Sequence, residues 1–176
     1  MSKRIASTVT GAMALTVLFF ALSGEVLADN AGGNGGLEVV PVTAGQVLEA
    51  VRGSGERVVL VNVWATWCSP CLEEFPELVK LQRNYAGKGL RVIFVSADFA
   101  EEVDGVYEFL AKQGVDFRTY LKTGNDEDFI NALNPGWSGA LPATLVFDSG
   151  GRLVNFSEGK ASYEKFEQMV LDVLGE

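Results

Sequence analysis

The chain contains no histidine and only two cysteines among 176 residues. The first absence excludes imidazole general acid–base catalysis, a Ser–His–Asp triad and every His-ligated metal site. Two thiols are too few for a disulfide-rich scaffold or a four-thiolate zinc or iron–sulfur centre. Basic residues are also scarce. Fourteen Lys and Arg stand against 23 Asp and Glu, and the formal charge of −9 is the wrong sign for holding nucleic acid. With 48% apolar residues, the chain is neither wholly disordered nor of low complexity. Its length suits one globular domain.

The N-terminal residues differ from the rest. Lys3 and Arg4 precede an apolar stretch that is densest over Ala12–Leu22, and Val26-Leu27-Ala28 offers small residues for a signal-peptidase cut before Asp29. This order predicts a signal peptide over residues 1–28 and an exported, periplasmic-type protein that is soluble after cleavage. The alternative is an uncleaved membrane anchor through residues 5–22, although the dense part falls short of the ~20 residues needed to cross a bilayer. No cysteine lies near the cut to accept a lipid. Residues 29–36 form a Gly-rich flexible linker, and residues 37–176 form the folded domain.

Within that domain, Leu37–Val40, closed by Pro41, suits an edge strand, and Thr43 can cap a helix to about Arg52. Val58–Trp64 and Leu90–Ala97 are nearly continuous apolar runs, as expected of strands buried on both faces. Residues 69–86 read as a helix with a 3–4 apolar spacing. Val103–Lys112 reads as another, with Val106, Tyr107, Phe109 and Leu110 inward. Phe117–Leu121 suggests a strand and Asp126–Leu133 a short helix. Thr144–Asp148 and Arg152–Ser157 suggest a hairpin, and Ser162 caps a last helix. The expected class is α/β, with a central mixed sheet covered by helices on both faces.

Both cysteines lie in Trp67-Cys68-Ser69-Pro70-Cys71, at the junction of a buried strand and a helix. The unpaired N–H groups and positive dipole end of that helix favour a thiolate at Cys68. Cys71 sits one turn deeper, within disulfide reach. Cys68 is therefore the expected attacking thiol and Cys71 the resolving one. Pro70 falls in the first turn, where its missing N–H costs nothing. A purely structural bridge closing so short a loop would remove little chain entropy, and zinc lacks further ligands. Redox chemistry is the stronger reading.

Trp64-Ala-Thr-Trp-Cys-Ser-Pro-Cys71 resembles the active-site signature of the thioredoxin superfamily, especially its exported TlpA/ResA-like thiol–disulfide oxidoreductases. Pro76 resembles the helix-kinking proline of that fold, Leu141-Pro142-Ala-Thr144 its cis-proline segment, and Asp148–Arg152 the turn into its last hairpin. Phe94–Asp98 with the following helix resembles the TlpA-type insert. The resemblance implies a thioredoxin-like fold, a redox-active Cys68–Cys71 pair, and a substrate-binding rim of Trp67, Ser69, Pro70, Leu141 and Pro142. It implies no metal or organic cofactor, protein thiol or disulfide substrates, and a membrane thiol donor that keeps the protein reduced. Apocytochrome cysteines before haem attachment are the clients it suggests.

Thioredoxins carry a buried aspartate where this chain has Asn62, which must be hydrogen-bonded but cannot carry a proton. The nearest carboxylate is Glu74, three residues after Cys71 on the same side of the helix. Glu74-Phe75-Pro76 matches the Glu-Phe-Pro of ResA-like proteins, which implies an active-site role for Glu74 in proton handling. Glu73 reads as its solvated neighbour. Trp67 reads as a docking surface, and Trp137 as a packing residue rather than part of the substrate groove. Two other functions remain open: a peroxide-reducing thiol enzyme, for which the Pro…Thr…Cys arrangement is missing, and a redox-inactive binding module, against which both cysteines argue.

Overall fold

The computed structural model describes residues 36–175, so the expected signal peptide and nearly all of the linker lie outside the described residues. In order they form β1 (Glu38–Val42), α1 (Ala44–Gly53), β2 (Val58–Trp64), α2 (Ser69–Tyr85), β3 (Leu90–Ser96) and α3 (Val103–Lys112). Next come β4 (Arg118–Lys122), α4 (Asp126–Leu133), β5 (Ala143–Asp148), β6 (Leu153–Glu158) and α5 (Tyr163–Leu174). The strands make one sheet in the order β1-β4-β3-β2-β5-β6. Strands β1 to β4 pair in parallel, β5 runs antiparallel beside β2, and β6 runs antiparallel beside β5. This is a mixed sheet of thioredoxin-like type.

Every residue of β2 is buried, and its side chains alternate between two cores. Val58, Leu60 and Trp64 pack with residues of α2, α3 and α5, whereas Val59, Val61 and Val63 pack with residues of α1 and α4. Burial on both faces is why the strand reads as an unbroken apolar run. The one polar member, Asn62, shares the α2 face by the period-2 alternation. On that face Phe75 stacks on Phe94 with ring centroids 4.2 Å apart and meets Trp64 at 4.8 Å. These contacts fix α2 over the sheet, and hence the sulfur pair at its start.

Local signals place the ends of several elements. Thr43 Oγ1 accepts the Gln46 N–H at 3.4 Å while Gln46 Oε1 accepts the Thr43 N–H at 2.9 Å, so α1 opens with a capping box. Ser162 Oγ accepts the Lys165 N–H at the start of α5. The hairpin turn needs Gly151, where φ is +74° and an added Cβ would lie 2.5 Å from Arg52 Cγ.

Two expectations change. β1 continues through Pro41 to Val42 instead of stopping before the proline, and as an edge strand it tolerates the lost donor. In α3, Val106 and Leu110 are buried and Phe109 partly so, but Tyr107 is exposed. Adjacent helical residues point about 100° apart, and here Tyr107 falls outside the buried stripe of Val106, Phe109 and Leu110. Instead, the Tyr107 hydroxyl accepts the Val39 N–H at 3.1 Å and covers part of the open β1 edge.

Candidate active site

β2 ends at Trp64, and Ala65, Thr66 and Trp67 carry the chain to Cys68, the N-cap of α2. The Cys68 carbonyl accepts the N–H groups of Cys71 at 2.9 Å and Leu72 at 3.1 Å, which starts the helix. Cys68 and Cys71 are joined as a disulfide with their Cα atoms 5.2 Å apart. Cys71 is wholly enclosed, while Cys68 keeps a small exposed area beside the exposed Ser69 and Pro70. Trp67 is 60% exposed.

The Leu141–Pro142 peptide is cis, as the resemblance implies. Strand β5 pairs with β2 so that Ala143 faces Val63. Leu141 and Pro142 immediately precede this pair, and on the other strand Ala65 opens the loop leading to Cys68. Leu141 also packs against the core that contains both cysteines. The sheet thus brings the cis-proline segment to the end of the molecule that holds the sulfur pair.

Glu74 is only 1% exposed. It lies on the buried face of α2, one helical turn beyond Cys71. Its Oε1 accepts from Asn62 Nδ2 at 3.0 Å, and its Oε2 accepts the Ala161 N–H at 2.9 Å. Asn62 Nδ2 also donates to Thr144 Oγ1 at 3.1 Å, across the β2–β5 pair in which the two residues face each other. Burial pushes the Glu74 carboxyl up from 4.5 to about 7, against the opposing pull of the Ala161 N–H, the Asn62 amide and the Lys160 charge. Its neighbour Glu73 is exposed and pairs with Lys160. Trp137 is buried in the α1–α4 core, its Nε1 donating to the Ala140 carbonyl at 2.9 Å.

A second buried carboxylate was not singled out from the sequence. Asp98 is 3% exposed and accepts the Thr66 N–H at 3.1 and 3.0 Å through its two oxygens. It also accepts the Thr66 hydroxyl and, at 2.6 Å, that of Ser96. These bonds hold the loop immediately before Trp67 and Cys68. The signal for Asp98 is the parallel register of β2 with β3, which appears only once the two strands are paired.

A six-stranded mixed sheet, helices on both faces and a sulfur pair at a strand–helix junction define a thioredoxin-like protein. The chain belongs to the Redoxin family, whose profile matches residues 43–170. It is 28% identical over 127 residues to the thiol-disulfide oxidoreductase ResA of Bacillus subtilis, covering 72% of this chain and 63% of that one. It is 31% identical over 121 residues to the ResA of Bacillus thuringiensis, covering 68% and 64%. The matches therefore span less than two thirds of either curated relative. Among solved structures, a thioredoxin-family thiol:disulfide interchange protein from Chlorobium tepidum superposes with a TM-score of 0.60 at 25% identity, covering 72% of this chain and 84% of that one. The chain is thus a ResA/TlpA-like member of the thioredoxin superfamily.

Proposed function

We propose that this protein is a thiol–disulfide oxidoreductase that reduces disulfides in protein substrates through Cys68 and Cys71. The observation that carries the proposal is the pairing of an enclosed Cys71 with an enclosed Glu74 one helical turn away, its carboxyl held at about 7. A carboxyl there can take a proton near neutral pH, which an ordinary glutamate cannot do efficiently.

In the reductive direction, the Cys68 thiolate attacks one sulfur of the client disulfide. The Cys68–client bond forms as the client S–S bond breaks, and the departing client sulfur leaves as a thiolate and takes a proton. Glu74 then accepts the Cys71 proton. The Cys71 thiolate attacks Cys68 Sγ and expels the second client sulfur, which takes up that proton. The client has gained two electrons and two protons, and the Cys68–Cys71 disulfide has formed. A dithiol donor at the membrane resets it. Trp67, Ser69 and Pro70 form the rim around Cys68, and the Leu141 backbone before Pro142 offers N–H and C=O groups to an extended client.

Export through the 1–28 segment belongs to the same proposal. It rests on that segment's basic, apolar and small-residue order. The resemblance extends it to apocytochrome cysteines as clients. The test is Cys71→Ser, which removes the resolving thiol and leaves Cys68. Expressed in the native host, this variant should accumulate client proteins as adducts released by dithiothreitol. Absence of such adducts, with Cys68 still open to alkylation, overturns the proposal.

A further inference from the structure

The two most exposed large apolar side chains among the described residues are Phe99, at 70%, and Trp67, at 60%. Isolated exposed apolar side chains are ordinary and need no explanation. These two are not isolated from each other in the fold. Strands β2 and β3 pair in parallel up to Trp64 and Ser96. Beyond the strands the Ala97 N–H donates to the Trp64 carbonyl at 2.7 Å, and the Thr66 N–H donates to the Asp98 side-chain carboxylate. The next residues along the two segments are Trp67 and Phe99. Each follows directly on a member of the Thr66–Asp98 clamp, so both backbones are fixed at one end of the sheet. Glu102 Oε2 further accepts the Phe99 N–H at 3.4 Å.

We propose that Trp67 and Phe99 form one aromatic ledge beside Cys68. Its occupant is a client's cysteine-bearing segment, with an apolar side chain next to the cysteine and basic residues beyond it. This inference rests on the redox reading and names the substrate class of that same site. Continuity with the reactive sulfur supplies the apolar half of the argument, because Trp67 adjoins Cys68 in the chain. A client segment delivering a sulfur to Cys68 has this ledge available to cover, and aromatic side chains are the usual anchors of such contacts. Charge supplies the other half. From Ala97 to Val106 the chain carries Asp98, Glu101, Glu102 and Asp104 and no Lys or Arg. Glu101 and Asp104 are exposed, so the ground beyond Phe99 attracts cations and repels acidic segments. A small disulfide reaches Cys68 without touching Phe99.

The experiment uses the reduced full chain and three oxidants: hydroxyethyl disulfide and two short synthetic peptides with one internal disulfide. Both peptides place Phe beside the cysteine, and one has outer Lys residues where the other has Glu. The rate of Cys68–Cys71 oxidation should be severalfold higher with the Lys peptide than with the Glu peptide, and this preference should shrink in high salt. Phe99→Ala should lower the ratio of Lys-peptide rate to hydroxyethyl disulfide rate by about tenfold, the scale of losing part of one buried aromatic contact. Phe99→Tyr should restore most of it. Glu101→Gln combined with Asp104→Asn should at least halve the Lys-over-Glu preference, Glu102 remaining. An unchanged ratio in Phe99→Ala, or equal rates for the two peptides in low salt, overturns the ledge and leaves the redox reading standing. Inertness of the wild-type chain toward hydroxyethyl disulfide overturns the redox reading and the ledge with it.

Discussion

Glu74→Gln tests whether the buried carboxyl carries a proton near neutral pH, and the stability of the oxidised protein reports on it without any client. In the unfolded chain Glu74 titrates at its ordinary value of 4.5, and in the fold at about 7. Below 4.5 both states are protonated and the group contributes no pH dependence. Between the two values the folded state binds more protons than the unfolded one, so stability falls as pH rises. Above about 7 the loss is complete. A gap from 4.5 to about 7, at ~1.4 kcal/mol per unit, corresponds to about 3 kcal/mol for this enclosed side chain.

The substitution changes hydrogen bonding as well, but by an amount that does not vary with pH. Glutamine has one acceptor oxygen where glutamate offers two, to Asn62 and Ala161. Asn62 Oδ1, which has no hydrogen-bond partner among the described residues, can turn to accept from the new amide. The Thr144 hydroxyl can then donate to the turned amide instead of accepting from it. Every other titrating group is common to both chains and cancels in their difference. Urea unfolding of both oxidised proteins from about pH 4.5 to 8 should therefore show the wild type losing about 3 kcal/mol relative to Glu74→Gln. A difference that stays flat across that range refutes both the raised value and the proton-acceptor role built on it.

In the reduced protein, Cys68 should alkylate before Cys71, because it caps α2 and keeps some exposure while Cys71 is enclosed. Mass spectrometry after brief iodoacetamide treatment reads the order, and a reversed or equal order removes the assigned roles. Phe75→Ala should cost about 3–5 kcal/mol in urea unfolding, because the ring is enclosed among Trp64, Phe94 and Phe109. A cost under about 1 kcal/mol would mean that α2 is not anchored there as described.

The parts of the fold legible in the sequence are those that local pattern controls. β2 announces itself because burial on both faces demands an apolar run, and α1 and α5 because Thr43 and Ser162 cap them. The strand–helix junction at Cys68 follows from the same two signals. Burial of Glu74 was not legible. Helical spacing puts it on one side with Cys71, but the group that encloses and bonds it, Ala161, arrives from 87 residues away. Asp98 was hidden for a related reason, since its link to Thr66 spans 32 residues and depends on strand pairing. Tyr107 shows the converse failure. An apolar stripe read too broadly took in a residue that bonds the sheet edge.

The two buried carboxylates near the sulfur pair make different use of burial. Asp98 accepts one backbone and two side-chain donors, from Thr66 and Ser96. Its work is mechanical: it ties the end of β3 to the loop that sets Trp67 and Cys68. Glu74 accepts only two donors, and for it desolvation outweighs them. The difference traces to the residue beneath each group. Asp98 is met by a loop with a free N–H and a hydroxyl. Glu74 lies over β2, whose backbone groups are spent on β3 and β5, so Asn62 offers only its side chain. A polar residue at that one strand position allows an acid to be buried under the helix, and its single donated bond leaves the acid able to keep a proton. An aspartate there would place a second carboxyl against Glu74 and couple their titrations. With asparagine, Glu74 has no second carboxyl at this strand position to share a proton with in the proposed exchange.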